Sequence, residues 1–125
     1  MTSRPEVLVY GCREEAMAVL RRASGRCGAV LLNANSPVEI VQQTVSRRPL
    51  AVFVGIGPKA LLNLDVIPMI RAVRSDVPVI VVAEEDSLEL ERRARQLAIF
   101  YYLVHPIESS ELEAVLKDVL RHARG

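Results

Sequence analysis

Two groups of residues have the types and spacing to do chemistry. The first is Gly55-Ile56-Gly57-Pro58-Lys59-Ala60, a G-x-G-x-x-A pattern directly after an apolar run. In that pattern bare backbone amides can cradle a phosphate at a helix start. Pro58 removes one amide donor. No helix start follows at once either, because Asn63 and Asp65 look like later caps. The bland reading of the same residues is a flexible loop. The second group is Cys12 with His105. An imidazole near a thiol lowers its pKa and gives a nucleophile, a redox sensor or half a metal site. Two soft ligands fall short of the four a structural zinc takes, and a small cysteine also simply fills space. Carboxylates stand at Glu14, Glu15, Glu84, Glu85 and Asp86, each close to a helix start, where the macrodipole favours them. Arg21-Arg22, Arg47-Arg48 and Arg92-Arg93-x-Arg95 are basic, but each lies on a helix among glutamates or at a helix end. No helix-turn-helix or aromatic–basic interleaving accompanies them, so direct nucleic-acid contact is not expected.

The elements that must position these residues follow from composition and periodicity. The chain has 125 residues, 50% hydrophobic and 25% charged. That is enough for one domain over residues 1–125 with a real core, and it excludes a disordered chain. A formal net charge of +1 steers it toward neither nucleic acid nor anionic membrane. No apolar run approaches a membrane span. Met1 to Pro5 runs straight into a strand and leaves no room for a signal peptide. Two cysteines without a CxxC imply a reducing, cytoplasmic setting.

Val7-Leu8-Val9-Tyr10 is a run of strand formers. Arg13 to Ser24 repeats apolar residues at helical spacing, and Gly25 and Gly28 break it. Ala29 to Leu32 is the second strand. Ser36-Pro37-Val38-Glu39 predicts a capping box with proline at the first helical position, and Val38, Val41 and Val45 form the expected buried stripe. Leu50 to Val54 is apolar throughout, as a central parallel strand should be. Asp65 is the expected cap of a short third helix. Val79 to Ala83 is the fourth strand, and a fourth helix begins near Asp86 or Ser87. Ile99 to Val104 is the fifth strand. The last helix starts near Ser109 and buries Leu112, Val115, Leu116, Val119 and Leu120. Strands alternating with helices predict an α/β parallel sheet with right-handed crossovers. In such a sheet, ligands sit beyond the carboxyl ends of the strands.

This order of elements, ending in Tyr102-Leu103-Val104-His105-Pro106-Ile107 and a capped amphipathic helix, resembles the CheY-like receiver domain of two-component response regulators along nearly the whole chain. The resemblance implies a three-layer flavodoxin-like (βα)5 fold, strand order 2-1-3-4-5, with the first and fifth helices on one face. It also implies a cis His105–Pro106 bond, from the family's Lys-Pro. Where the family carries its magnesium-binding acids, this chain has Gly11 and Cys12. Gly55 stands for the phosphorylated aspartate, Ala83 for the hydroxyl residue and His105 for the lysine. The expectation is a pseudo-receiver: no phosphotransfer, no metal, no cofactor and no enzyme activity. Tyr102 matches the family's rotating aromatic. Without a hydroxyl at residue 83 to pull it, Tyr102 is expected to pack with its own hydroxyl at a wet edge.

Two functions remain open at this point. The first is phosphorylation-independent recognition of a protein partner or a second copy, through the face of the fourth helix, fifth strand and fifth helix, which the family commonly uses in signal transduction and transcription regulation. Three tyrosines and two phenylalanines are all the aromatics, and Phe100, Tyr101 and Tyr102 stand together there as candidate anchors. Arg92 and Arg93 supply charge beside them. An effector domain could follow Gly125. The second is a small-ligand, nucleotide or redox site in the altered pocket, using Cys12, Gly55, Gly57 and His105. Both cysteines are expected to be free thiols. A strand length separates them by roughly 15 Å, whereas a disulfide needs its Cα atoms within about 7 Å.

Overall fold

The computed structural model describes residues 4–57 and 61–124. Five parallel strands form one sheet in the order β2-β1-β3-β4-β5. The strands are β1 (Glu6–Tyr10), β2 (Val30–Ala34), β3 (Ala51–Ile56), β4 (Val79–Ala83) and β5 (Tyr101–Val104). The helices between and after them are α1 (Glu14–Arg26), α2 (Pro37–Arg47), α3 (Val66–Val73), α4 (Leu88–Arg95) and α5 (Ser109–Arg124), with a 3-10 turn at Leu61–Asp65. Among the described residues, no helix is long and apolar enough to cross a membrane.

The sheet separates two cores, as the strand alternation requires. Val7, Val9, Phe53, Ile80 and Leu103 face α1 and α5, meeting Met17, Leu20, Leu112, Val115 and Leu116. Leu8, Val52, Val54, Val79 and Val81 face the other helices, meeting Ile40, Ile67, Ile70 and Ala94. Every residue of β3 and β4 is buried, which explains their unbroken apolar character. The flavodoxin-like fold and the helix faces are those expected, and the His105–Pro106 bond is cis.

Several local expectations are corrected. Val38 and Val45 are exposed, and α2 buries Ile40 and Thr44 instead. Those two lie four residues apart, one stripe round the helix from the valines. Thr44 can face the core because its hydroxyl donates to the Ile40 carbonyl at 2.7 Å. Ser36 does cap α2, accepting from the Glu39 amide at 3.1 Å. The box is not reciprocal, because the Glu39 carboxylate accepts from Gln43. Asp65 makes no side-chain cap bond; the 3-10 turn leads directly into α3. Ile99 and Phe100 fall outside β5, because Ala98 takes a left-handed φ of 56° and breaks the extended run. Leu120 is only half-buried. Both cysteines are free.

Candidate functional site

The carboxyl ends of β1, β3 and β4 meet at a rim closed by backbone. Gly11 ends β1 in a left-handed turn (φ 78°), a conformation that glycine adopts without the clash a side chain brings. That turn lays the Gly11 peptide against Gly55, which lies inside β3. A Cβ added at Gly55 would fall on the Gly11 carbonyl oxygen, 2.6 Å from the Gly11 carbonyl carbon and 2.8 Å from Cys12 Cα. Asn63, on the 3-10 turn, completes the closure by donating from Nδ2 to the Gly55 carbonyl at 2.8 Å. Its side chain also lies where a Gly11 Cβ would project. The place for an aspartate at residue 55 is therefore filled by the neighbouring chain. Asn63 stood out in the sequence only as a helix cap. Its role as a clamp depends on the 3-10 turn, which the sequence does not announce.

What remains is a small hollow bounded by Cys12, Arg13, Gly55, Val82, Glu84 and His105, among others, with a cavity volume of about 10 Å³. That is room for about one water, far below a ligand pocket of roughly 300 Å³ or more. Cys12 and His105 do line one hollow, as their positions implied. The thiol, however, is not activated. Burial, and then the charge of Glu84, push its pKa up to about 12, the reverse of the shift a nucleophile needs. His105 is tied to the sheet through its amide, which donates to the Ala83 carbonyl at 2.8 Å. Among the described residues, no three of His, Cys, Asp and Glu come together as a metal-binding group. Ala83 is fully buried on the other face of the sheet, so Val82 rather than Ala83 reaches the hollow.

The phosphate-loop pattern is covered as well. The Glu84 carboxylate lies over Gly57, with Oε2 only 2.6 Å from where a Cβ would stand. A phosphate approaching the Gly57 amide would meet that negative charge. Pro58, Lys59 and Ala60 lie outside the described residues.

Tyr102 is buried on the α4 side of the sheet, in the core that contains Ala83 and Ala94. Its hydroxyl is not at a wet edge: it is buried and has no partner among the described residues. Burial raises its pKa, with Glu91 and Asp86 adding to the shift and Arg95 opposing it. The Arg95 guanidinium stands 5.8 Å from the ring centroid, within cation–π range. Arg95 is itself held by Glu91 at 2.8 Å.

The expected interface residues divide. Arg92 and Arg93 are exposed on α4. Tyr101 keeps 38% of its surface in solvent on edge strand β5. Phe100 does not face outward: it packs against the α1–α5 core, with its ring 5.6 Å from that of His122 in an edge arrangement.

No family profile matches the chain. It is 29% identical over 119 residues to the transcriptional regulatory protein PrrA of Mycobacterium leprae, covering 95% of this chain and 51% of that protein. The Mycobacterium tuberculosis PrrA is likewise 29% identical over 117 residues. The chain thus spans about half the length of the curated relatives it matches. Among solved structures, a CheY-like protein (TadZ) from Pseudomonas aeruginosa superposes with a TM-score of 0.81 at 13% identity, over 92% of this chain and 98% of that one. A two-component response regulator from Clostridium difficile gives a TM-score of 0.81 at 17% identity, over 98% of this chain and 100% of that one. The structural likenesses give the chain the receiver fold. Together with the regulatory relatives, they support its reading as a receiver domain.

Proposed function

We propose that this chain is a pseudo-receiver: a cytoplasmic, non-enzymatic signalling domain that recognises a protein partner or a second copy without phosphorylation. One observation carries the reading. The Gly11 backbone occupies the space that an acceptor side chain at residue 55 would need. A receiver controlled by phosphate needs acceptor, metal ligands and room for the phosphoryl group, and the hollow at this rim has the volume of about one water. The buried Tyr102 adds to it. In the receiver resemblance an inward aromatic accompanies the phosphorylated state, and here the ring is inward with alanine at residue 83. The recognition face would then be permanently set rather than switched.

That face is α4, β5 and α5. β5 is an edge strand, open to pairing or docking on its free side. Tyr101 offers an aromatic anchor, with Arg92 and Arg93 as its charged rim. The raised Cys12 pKa and the filled hollow speak against the redox and nucleotide alternatives. Since the PrrA proteins are about twice as long, an attached effector domain that regulates transcription fits the same proposal. Sedimentation velocity tests it directly. The association of this protein, with itself or with a captured partner, should be the same with and without acetyl phosphate and magnesium. A shift that appears only with the phosphoryl donor would refute the proposal.

A further inference from the structure

We propose that the opposite end of the sheet holds a docking groove for an acidic peptide segment of a partner protein, with Arg48 as its carboxylate anchor. Three hollows of about 220, 260 and 440 Å³ lie at the amino ends of the strands. They are continuous: Arg48 and Leu50 line two of them, and Asp76, Pro78 and His122 join the third. This is much more room than the closed rim offers.

The groove is positive in a chain that is nearly neutral. Arg4, Arg47, Arg48, Arg71 and Arg74 line it against two carboxylates, Glu6 and Asp76. Both acids are already engaged, Glu6 by Arg47 at 3.0 Å and Asp76 by Arg74 at 3.4 Å. Arg71 is spent on the chain itself, donating to the Val77 carbonyl and to that of Ala98 at 2.7 Å. Arg48 makes no ion pair or side-chain hydrogen bond among the described residues; it is exposed, and its charge acts on Asp76 only through space, after that of Arg74.

The backbone at Arg48 is an independent sign. It ends α2 in the left-handed region, φ 50° and ψ 59°, where glycine or asparagine is the ordinary occupant. An arginine there accepts backbone strain, and strain of that kind gathers at functional sites. It sets an unpaired guanidinium where two hollows meet. A guanidinium fork matches a carboxylate in two parallel hydrogen bonds.

A peptide fits better than a nucleic acid. Glu6 and Asp76, each held by its own arginine, divide the positive surface into separate patches, which suits spaced carboxylates better than a continuous row of phosphates. Among the described residues Phe100 is the one phenylalanine or tyrosine lining the groove, and it packs against the α1–α5 core, which leaves no row of rings for successive bases to stack on. Leu50, half-buried between the charges, gives an apolar contact beside them, which suits a peptide that alternates acidic and apolar side chains. Phe100 and the end of α5 border both the groove and the α4–β5–α5 face, whereas Arg48 lines the groove and Tyr101 does not, so each surface is tested at its own residue.

Fluorescence anisotropy on the whole chain tests this inference. The probes are a labelled peptide alternating Glu and Leu, its Gln-for-Glu counterpart and a labelled oligothymidylate. The Glu peptide should bind, and the Gln peptide should bind at least about tenfold more weakly. Arg48→Gly removes the guanidinium while suiting the left-handed backbone. It should weaken the Glu peptide about tenfold with the melting temperature unchanged or raised. Arg48→Asn, which also tolerates that backbone, should behave alike, and Arg22→Gln, exposed on α1, should leave binding unchanged. The proposal is overturned if the Glu peptide does not bind at millimolar concentration, if either Arg48 variant binds it as well as the parent, or if the Gln peptide or the oligonucleotide binds as tightly.

Discussion

Gly55→Ala should lower stability by about 1–3 kcal/mol, the range for overfilling a packed site, and Gly55→Asp should lower it further without creating a phosphate acceptor. Gly55 lies inside a fully buried strand and has no left-handed φ, so glycine is needed there for space rather than for backbone freedom. The added Cβ meets the Gly11 peptide and Cys12 Cα, both backbone, and neither can swing aside as a side-chain tip could. Aspartate adds a carboxylate in a hollow whose lining already holds Glu84. Burying that charge without a partner is costly. Denaturant unfolding of the parent and the two variants measures the effect. If Gly55→Ala unfolds at the parental midpoint, the Gly11 turn yields easily and the rim is not closed in the way described.

Tyr101→Lys should weaken association through the α4–β5–α5 face by at least tenfold, with unfolding nearly unchanged. Aromatic anchors at an interface centre carry about 2 kcal/mol or more. The ring is 38% exposed in the isolated domain, and lysine is well tolerated on an edge strand. Arg92→Glu with Arg93→Glu should have a smaller effect that fades with salt, since exposed charges contribute less than about 1 kcal/mol. Light scattering and sedimentation resolve the two cases. Parental association by Tyr101→Lys would move the contact away from β5. A collapse in melting temperature would mean that Tyr101 supports the fold instead.

The alternating strands and helices of a parallel α/β sheet were legible because β3 and β4 are apolar throughout and α1 and α5 carry regular apolar stripes, whereas the strand order and the two helix faces followed from the receiver resemblance. The valines of α2 misled because three of them fall at helical spacing. The true core line runs through Ile40 and a threonine whose hydroxyl is satisfied inside its own helix. The ring of Tyr102 is buried as a packed aromatic should be, but its hydroxyl is not at an edge. Sequence gives the strand, not the depth at which the short helix α4 covers it. The rim shows the same limit. Gly11, Cys12, Gly55 and His105 could be placed at one end of the sheet by counting strands. That Gly11 lies on Gly55, with Asn63 holding it there, depends on two loop conformations that no periodicity encodes. The left-handed Arg48 was equally hidden, because arginine carries none of the signals by which glycine marks such a turn.

The most direct test of the central claim is intact-mass measurement of the protein after incubation with acetyl phosphate and magnesium. The account predicts one unmodified mass, because residue 55 has no side chain and the space beside it is filled by Gly11. An acid-labile phosphoryl adduct that disappears when a single rim carboxylate is replaced, as in Glu84→Gln, would contradict it.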